Sequence, residues 1–315
     1  MLDRRTFLSL VTAIAFLRAT ARGHAAPISK IVFVHGRSQQ GLDPKVLKKE
    51  WTDELVAALA IENHTLSTGL DIEFPYYGDA LEAFVQQSTL QVPSQVHSRG
   101  SGQQDEFMAF QAQLATELVV GAGVTDAQID AEYGSNPKQR GPLNWEWVHA
   151  ILKALDKHGG GMSASAIEEF TRDVYLYLTS DVVREEINKI VLASMTSEPT
   201  IVVAHSLGSV VAYDVLRKAG SLKVPTLVTI GCPLGIRAIR TPLSPIAYPN
   251  NVSAWFNAYD TRDVVALNPL DSANFAVTPP IENYSGVKNG TSNRHGISGY
   301  LGDPTVARRI YNSLQ

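Results

Sequence analysis

The stretch Thr200-Ile201-Val202-Val203-Ala204-His205-Ser206-Leu207-Gly208-Ser209-Val210-Val211-Ala212-Tyr213 changes character at its middle. Residues 200–204 are a short β-branched, apolar run without polar alternation, as expected of a strand buried on both faces of a parallel sheet. Residues 207–219 read as a helix closed by Gly220. A serine on so abrupt a strand-to-helix turn is held in strained backbone geometry, and its neighbours must be small to clear strand and helix. Ala204, Gly208 and Ser209 meet that demand. The turn lifts the Ser206 hydroxyl above the sheet and aims the Leu207 N–H, at the helix N-terminus, toward the same point.

Working outward, the same kind of run recurs. Residues 30–34 (Lys-Ile-Val-Phe-Val) form a strand that ends at His35-Gly36, after which Asp43-Pro44 supplies an N-cap and a first-turn proline. Leu47, Trp51, Leu55 and Leu59 then recur on one helical face. Strands are expected at 70–77, 226–230 and 253–257, and a last helix at 304–314 with Val306 and Ile310 on one side. Strands separated by helices imply an α/β fold with a mostly parallel, doubly wound sheet. Residues 79–180 break this rhythm and read as a largely helical cap insertion, with helices at 107–119, 145–155 and 167–178, followed by another at 182–195. Trp145 and Trp147 there suit either a substrate pocket or plain packing, and Gly159-Gly160-Gly161 a linker.

The composition is that of an ordinary globular protein: 315 residues, 44% hydrophobic, 18% charged, one cysteine. Disordered tails, collagens and disulfide scaffolds are excluded on those numbers. The formal net charge of -4 argues against nucleic acid as a partner. At the N-terminus, Arg4-Arg5 precedes the apolar run 7–17, too short for a membrane span, and the small-residue stretch Gly23-His24-Ala25 suits cleavage near Ala26. This leader, 1–25, is similar to a twin-arginine export signal, which implies a periplasmic or secreted protein without stable membrane insertion. It holds four Arg and one Asp of the chain's 27 basic and 31 acidic residues, so 23 and 30 remain beyond it, a net of -7. Residues 26–315 are expected to form one domain. No H-E-x-x-H, paired Cys or Asp-rich loop is present, and no metal or cofactor is expected.

Over nearly all of residues 30–315 the chain resembles the α/β-hydrolase family. The family's G-x-S-x-G appears with Ala204 in the first glycine position, and His35-Gly36-Arg37 is similar to its H-G-x loop. Gly231-Cys232-Pro233-Leu234 looks like the G-x-P-L of lipase-like bacterial relatives, and residues 255–263 resemble their acid-bearing segment. The resemblance implies a nucleophile, acid, histidine order along the chain. His295 is the one histidine beyond Ser206, so it would be the base. Asp260, Asp263 and Asp271 all follow the strand ending near Asn257; the acid would be Asp263, with Asp260 as the main alternative because the usual proline after the acid is replaced by Val264. The second oxyanion N–H would come from Arg37, beside that of Leu207. His158-Gly159-Gly160-Gly161 spells another oxyanion motif but follows a helical pattern and reads as a helix end. His205 and His35 are expected to order the neighbourhood.

The expected chemistry is hydrolysis of a small-molecule or lipid-like carboxylic ester through an acyl-enzyme on Ser206. Acyl transfer, thioester or amide cleavage on the same residues, and a non-catalytic binding protein, are the alternatives.

Overall fold

The computed structural model describes residues 28–95, 102–134, 141 and 144–315. The expected leader, 1–25, lies outside the described residues. Among the described residues six strands, β1 (Lys30–Val34), β2 (Asp71–Glu73), β3 (Ile201–His205), β4 (Val224–Ile230), β5 (Val252–Ala258) and β6 (Glu282–Tyr284), pair in the order β2-β1-β3-β4-β5-β6. Every pairing is parallel.

Helix α1 (Pro44–Ile61) links β1 to β2. Between β2 and β3 run α2 (Gly78–Gln87), α3 (Gly102–Ala122), α4 (Asp126–Tyr133), α5 (Trp145–His158), α6 (Ala164–Thr179) and α7 (Asp181–Ala193). Helix α8 (Leu207–Lys218) follows β3, α9 (Arg237–Arg240) follows β4, and α10 (Ile297–Leu301) and α11 (Pro304–Ser313) end the chain.

The absence of polar alternation in β1 and β3 has a direct cause: both faces of the sheet are covered. Period-two geometry sends Ile31, Phe33, Ile201 and Val203 to one side, where they pack with Leu47, Trp51, Leu55 and Leu59 of α1 and Val306 and Ile310 of α11. Val32, Val34, Val202 and Ala204 point to the other side and join a larger cluster with α8 and the helices preceding β3. This is a doubly wound α/β fold.

The helical segment expected as a cap is not separated from the sheet by a second core. Leu114, Leu152, Phe170, Val174 and Ile187 belong to the same continuous cluster as the sheet residues Val32 and Val202. Two edge strands differ from the sequence reading. The strand expected over 70–77 pairs only at Asp71–Glu73, because Pro75 has no N–H to give a ladder and the chain then turns into α2. Strand β6, Glu-Asn-Tyr, carries no apolar run to announce it.

Register sets the site. Val34 stands opposite Ala204, and Ala204 opposite Thr229, so β1, β3 and β4 end level with one another. The loops at His35-Gly36, His205-Ser206 and Gly231 therefore emerge side by side.

A shared core has a measurable consequence. Phe170 is fully buried in α6, and Phe170→Ala should cost about 3–5 kcal/mol. The urea transition should move as one for both the helical segment and the sheet. Two resolved transitions, with only one displaced, would contradict the continuous core.

Candidate active site

Ser206 leaves β3 with φ 55° and ψ -129°. A positive φ costs a non-glycine residue roughly 1–3 kcal/mol, so the surroundings must impose it. They do so from both sides of the turn. Ser206 N donates to the Ile230 carbonyl at 3.1 Å, and Ser209 N returns to the Ser206 carbonyl at 2.9 Å. A side chain at position 208 would collide with the carbonyls of Val34 and His35, so Gly208 lets the first turn of α8 sit on the end of β1. At Gly36 a Cβ would lie 2.9 Å from Ser206 Cβ and 3.4 Å from its Oγ. The His35-Gly36-Arg37 loop thus passes directly beside the serine.

The structure brings Ser206, His295 and Asp263 together. His295 Nε2 lies 2.7 Å from Ser206 Oγ, and its Nδ1 lies 2.6 Å from Asp263 Oδ2. With Nδ1–H donating to the carboxylate, Nε2 is left to accept the hydroxyl proton. Asp263 is itself fixed by Val265 N, which donates to Oδ1 at 3.0 Å, and by the Tyr300 hydroxyl, which donates to Oδ2 at 2.6 Å. All three residues are buried.

Asp260, the alternative acid, is engaged elsewhere. Its Oδ2 accepts from Asn289 N at 2.7 Å and its Oδ1 from Arg262 N at 2.9 Å. Asn289 in turn donates from Nδ2 to the Gly296 carbonyl at 2.8 Å, so Asp260 braces the loop that carries His295.

The other two histidines near the serine have both ring nitrogens or their environment assigned to structure. His35 is fully buried, donates from Nδ1 to the Gly36 carbonyl at 2.6 Å and accepts from Tyr77 N at Nε2, 3.1 Å. The Tyr77 hydroxyl bonds the His35 carbonyl, and the two rings stack 4.0 Å apart. Burial pulls the His35 imidazole down to about 4, so it is neutral. His205 bonds the His295 carbonyl through Nε2 at 2.8 Å and is held well below its usual value by burial, then by the neighbouring His295.

Of the expected oxyanion donors, Leu207 follows Ser206 directly and Arg37 follows Gly36, whose backbone passes beside the serine. Leu207 opens α8, so its N–H is one of those a helix leaves without an intrahelical partner. The Arg37 side chain turns away from the serine: Nε donates to Asp173 Oδ2 at 3.0 Å and the guanidinium also pairs with Glu169, both on α6. Burial pushes the Asp173 carboxyl up, against the pull of Arg37. Tying the loop to α6 in this way orients its backbone rather than supplying a free cation.

His158-Gly159-Gly160-Gly161 ends α5, with Gly159 as its cap. At Gly161 a Cβ would come within 2.9 Å of the Ser292 carbonyl, so this turn lies against the loop of His295 rather than at the serine. Trp147 lines a cleft of about 890 Å³ between α3 and α5, with Ala112, Thr116, Ile151 and Arg237, and no triad residue lines that cleft. Trp145 packs against the main core. Cys232 is buried, and burial raises its thiol to about 12. Among the described residues no group of His, Cys, Asp and Glu could hold a metal ion, and no helix is long and apolar enough to cross a membrane.

Comparison with models of known protein families, with curated proteins and with solved structures gives no match.

Sequence reasoning missed Tyr300, Tyr77, Asp173 and Asn289. Tyr300 carried no sequence signal, since the five residues of α10 are too few to show a period.

The neutral histidines make stability depend on acid pH. His35 has an unfolded value near 6.5 and a folded value of about 4, so between these the unfolded chain takes up a proton that the folded chain does not. Stability should therefore fall as pH drops from about 6.5 through 4, by on the order of 3 kcal/mol for His35, with His205 adding in the same direction. His35→Gln should flatten the fall in unfolding free energy over that window. Parallel profiles for wild type and variant would show that His35 is not held neutral.

Proposed function

We propose that the protein is a serine hydrolase of the α/β-hydrolase kind that cleaves carboxylic esters through an acyl-enzyme on Ser206. One observation carries the reading: the unbroken chain from Ser206 Oγ through His295 Nε2 and Nδ1 to Asp263 Oδ2, built on a serine whose φ is 55°. The positive φ presents the Ser206 hydroxyl to His295, and a hydroxyl, an imidazole and a carboxylate bonded in line are the groups that nucleophilic catalysis requires.

In the first step Ser206 Oγ attacks the ester carbonyl carbon while its proton passes to His295 Nε2. The carbonyl electron pair moves onto oxygen, which the N–H groups of Arg37 and Leu207 receive, and Asp263 supports the imidazolium and keeps its tautomer. Collapse expels the alkoxide, which takes the proton from Nε2. Water then enters, gives a proton to Nε2 and attacks the acyl carbon; collapse returns the proton to Ser206 and releases the acid.

The substrate class is a small-molecule or lipid-like ester. The sheet and the triad serve thioesters, amides or a second alcohol as acceptor equally well, and product analysis with competing acceptors separates these. The proposed place of action is outside the cytoplasm, supported by the Arg4-Arg5 leader in the sequence.

Ser206→Ala should abolish turnover of short p-nitrophenyl esters and labelling by a fluorophosphonate probe, with unfolding midpoints unchanged. Asp263→Asn should lose about 10⁴ in kcat, whereas Asp260→Asn should lose stability and far less turnover. A wild-type protein that neither labels nor turns over any ester would overturn the hydrolase reading.

A further inference from the structure

Asp263 Oδ2 accepts two hydrogen bonds rather than one: from His295 Nδ1 at 2.6 Å and from the Tyr300 hydroxyl at 2.6 Å. The second donor lies in α10, which begins two residues after His295, so the base and this hydroxyl are held by one short segment. Tyr300 is fully buried, and its oxygen also accepts from Asp260 N at 3.3 Å. Room for the ring is made at Gly231, whose φ is 57° and where a Cβ would stand 3.0 Å from Tyr300 Cε2 and 3.1 Å from His295 Cε1. Glycine there lets both rings press against the same backbone, which makes the three-way contact a built feature of the loop after β4.

We propose that Tyr300 is a positioning residue for the general base: by donating to the oxygen that already accepts from His295, its hydroxyl restrains how strongly Asp263 draws the imidazole proton and fixes the carboxylate's orientation. The physical argument is competition. A carboxylate oxygen that receives two donors has less charge to give to each, so the support that Asp263 lends to the protonated imidazole is reduced. Val265 N on Oδ1, at 3.0 Å, adds a third bond that orients the carboxylate.

The surroundings leave Asp263 as the partner of this hydroxyl. Among the described residues, the charged and titratable groups around Tyr300 are Asp263 and Asp260 from the loop after β5, His205 at the end of β3, 5.8 Å between ring centroids, and His295. Asp260 spends its carboxylate on Asn289 and Arg262, and His205 is kept neutral by burial. Glu54 of α1 reaches the far end of α10, beside Gly302. Burial, then Asp263, holds the Tyr300 phenol well above its ordinary value, so it remains a donor throughout the working range.

The kinetic arm of the test rests on the ester-hydrolase reading; the spectroscopic arm does not. In Tyr300→Phe, which keeps the ring, the acid limb of the kcat/KM profile should move to higher pH by about half to one unit. The plateau kcat should fall about tenfold with KM unchanged, because the carboxylate has lost one anchor. In proton NMR the His295 Nδ1–H resonance should move downfield, since its acceptor is no longer shared. Replacing Tyr300 by 3-fluorotyrosine, a stronger donor of nearly the same shape, should move the acid limb and the resonance in the opposite directions, and it serves where Tyr300→Phe does not fold. A resonance that stays in place, or moves upfield in Tyr300→Phe, would reduce Tyr300 to packing and overturn the proposal. Absence of ester turnover in the wild type, with the resonance still shifting as stated, would instead sink the hydrolase reading alone.

Discussion

The close approach of α8 to the end of β1 is the constraint on which the site depends. Gly208 has no side chain, and that lets the first turn of the helix lie on the carbonyls of Val34 and His35. With the helix this near the strand, the chain between β3 and α8 has a single residue in which to reverse, and Ser206 takes it at φ 55°. The strain is small beside the packing of two buried strands and a buried helix that imposes it. Because β1, β3 and β4 end level, the same approach places Gly36 and Gly231 against the serine and the histidine. Each of these glycines removes a methylene's worth of distance between loops that must touch.

Burial then sorts the titratable groups. Three histidines lie near the serine, and two of them are neutral by desolvation, His35 bonded to backbone through both ring nitrogens and His205 through Nε2. The third alone bridges a hydroxyl and a carboxylate. The two aspartates divide in the same manner: Asp263 faces the histidine, and Asp260 holds the loop on which the histidine is carried. Neighbouring side chains of identical type thus take different places in the network, and their hydrogen-bond partners distinguish them.

What could be read from the sequence follows from how each feature is encoded. Strands β1, β3, β4 and β5 were legible because burial on both faces leaves a continuous apolar run, and α1 because Leu47, Trp51, Leu55 and Leu59 repeat at helical spacing. Strands β2 and β6 were not, since three edge residues with partly exposed side chains carry no pattern. The serine and the histidine stood out through local turn chemistry and chain order. Choosing Asp263 over Asp260 depends on which carboxylate a loop folds back to meet, and both residues sit in the same polar turn. The Tyr300 hydroxyl and the Arg37 pairing with Asp173 are contacts across 37 and 136 positions, which no local spacing records.

The helical segment between β2 and β3 bears on the chemistry through these long-range contacts. It shares a core with one face of the sheet, so its position is set by the same burial that holds β1 and β3. From that fixed position α6 reaches the loop of Arg37 through Asp173 and Glu169, while the turn after α5 lies against the backbone of Arg262 and Ser292. The segment therefore touches the loop beside Ser206, the loop that carries Asp263 and the loop that carries His295 at once. A cover hinged over the sheet would have to break the Arg37 pairing and the packing of α6 into the sheet core together each time it opened, so these contacts favour one fixed position. The helices are thus pinned to the three loops that carry Arg37, Arg262 and Ser292, with α6 held by the sheet core on one side and by the Arg37 loop on the other.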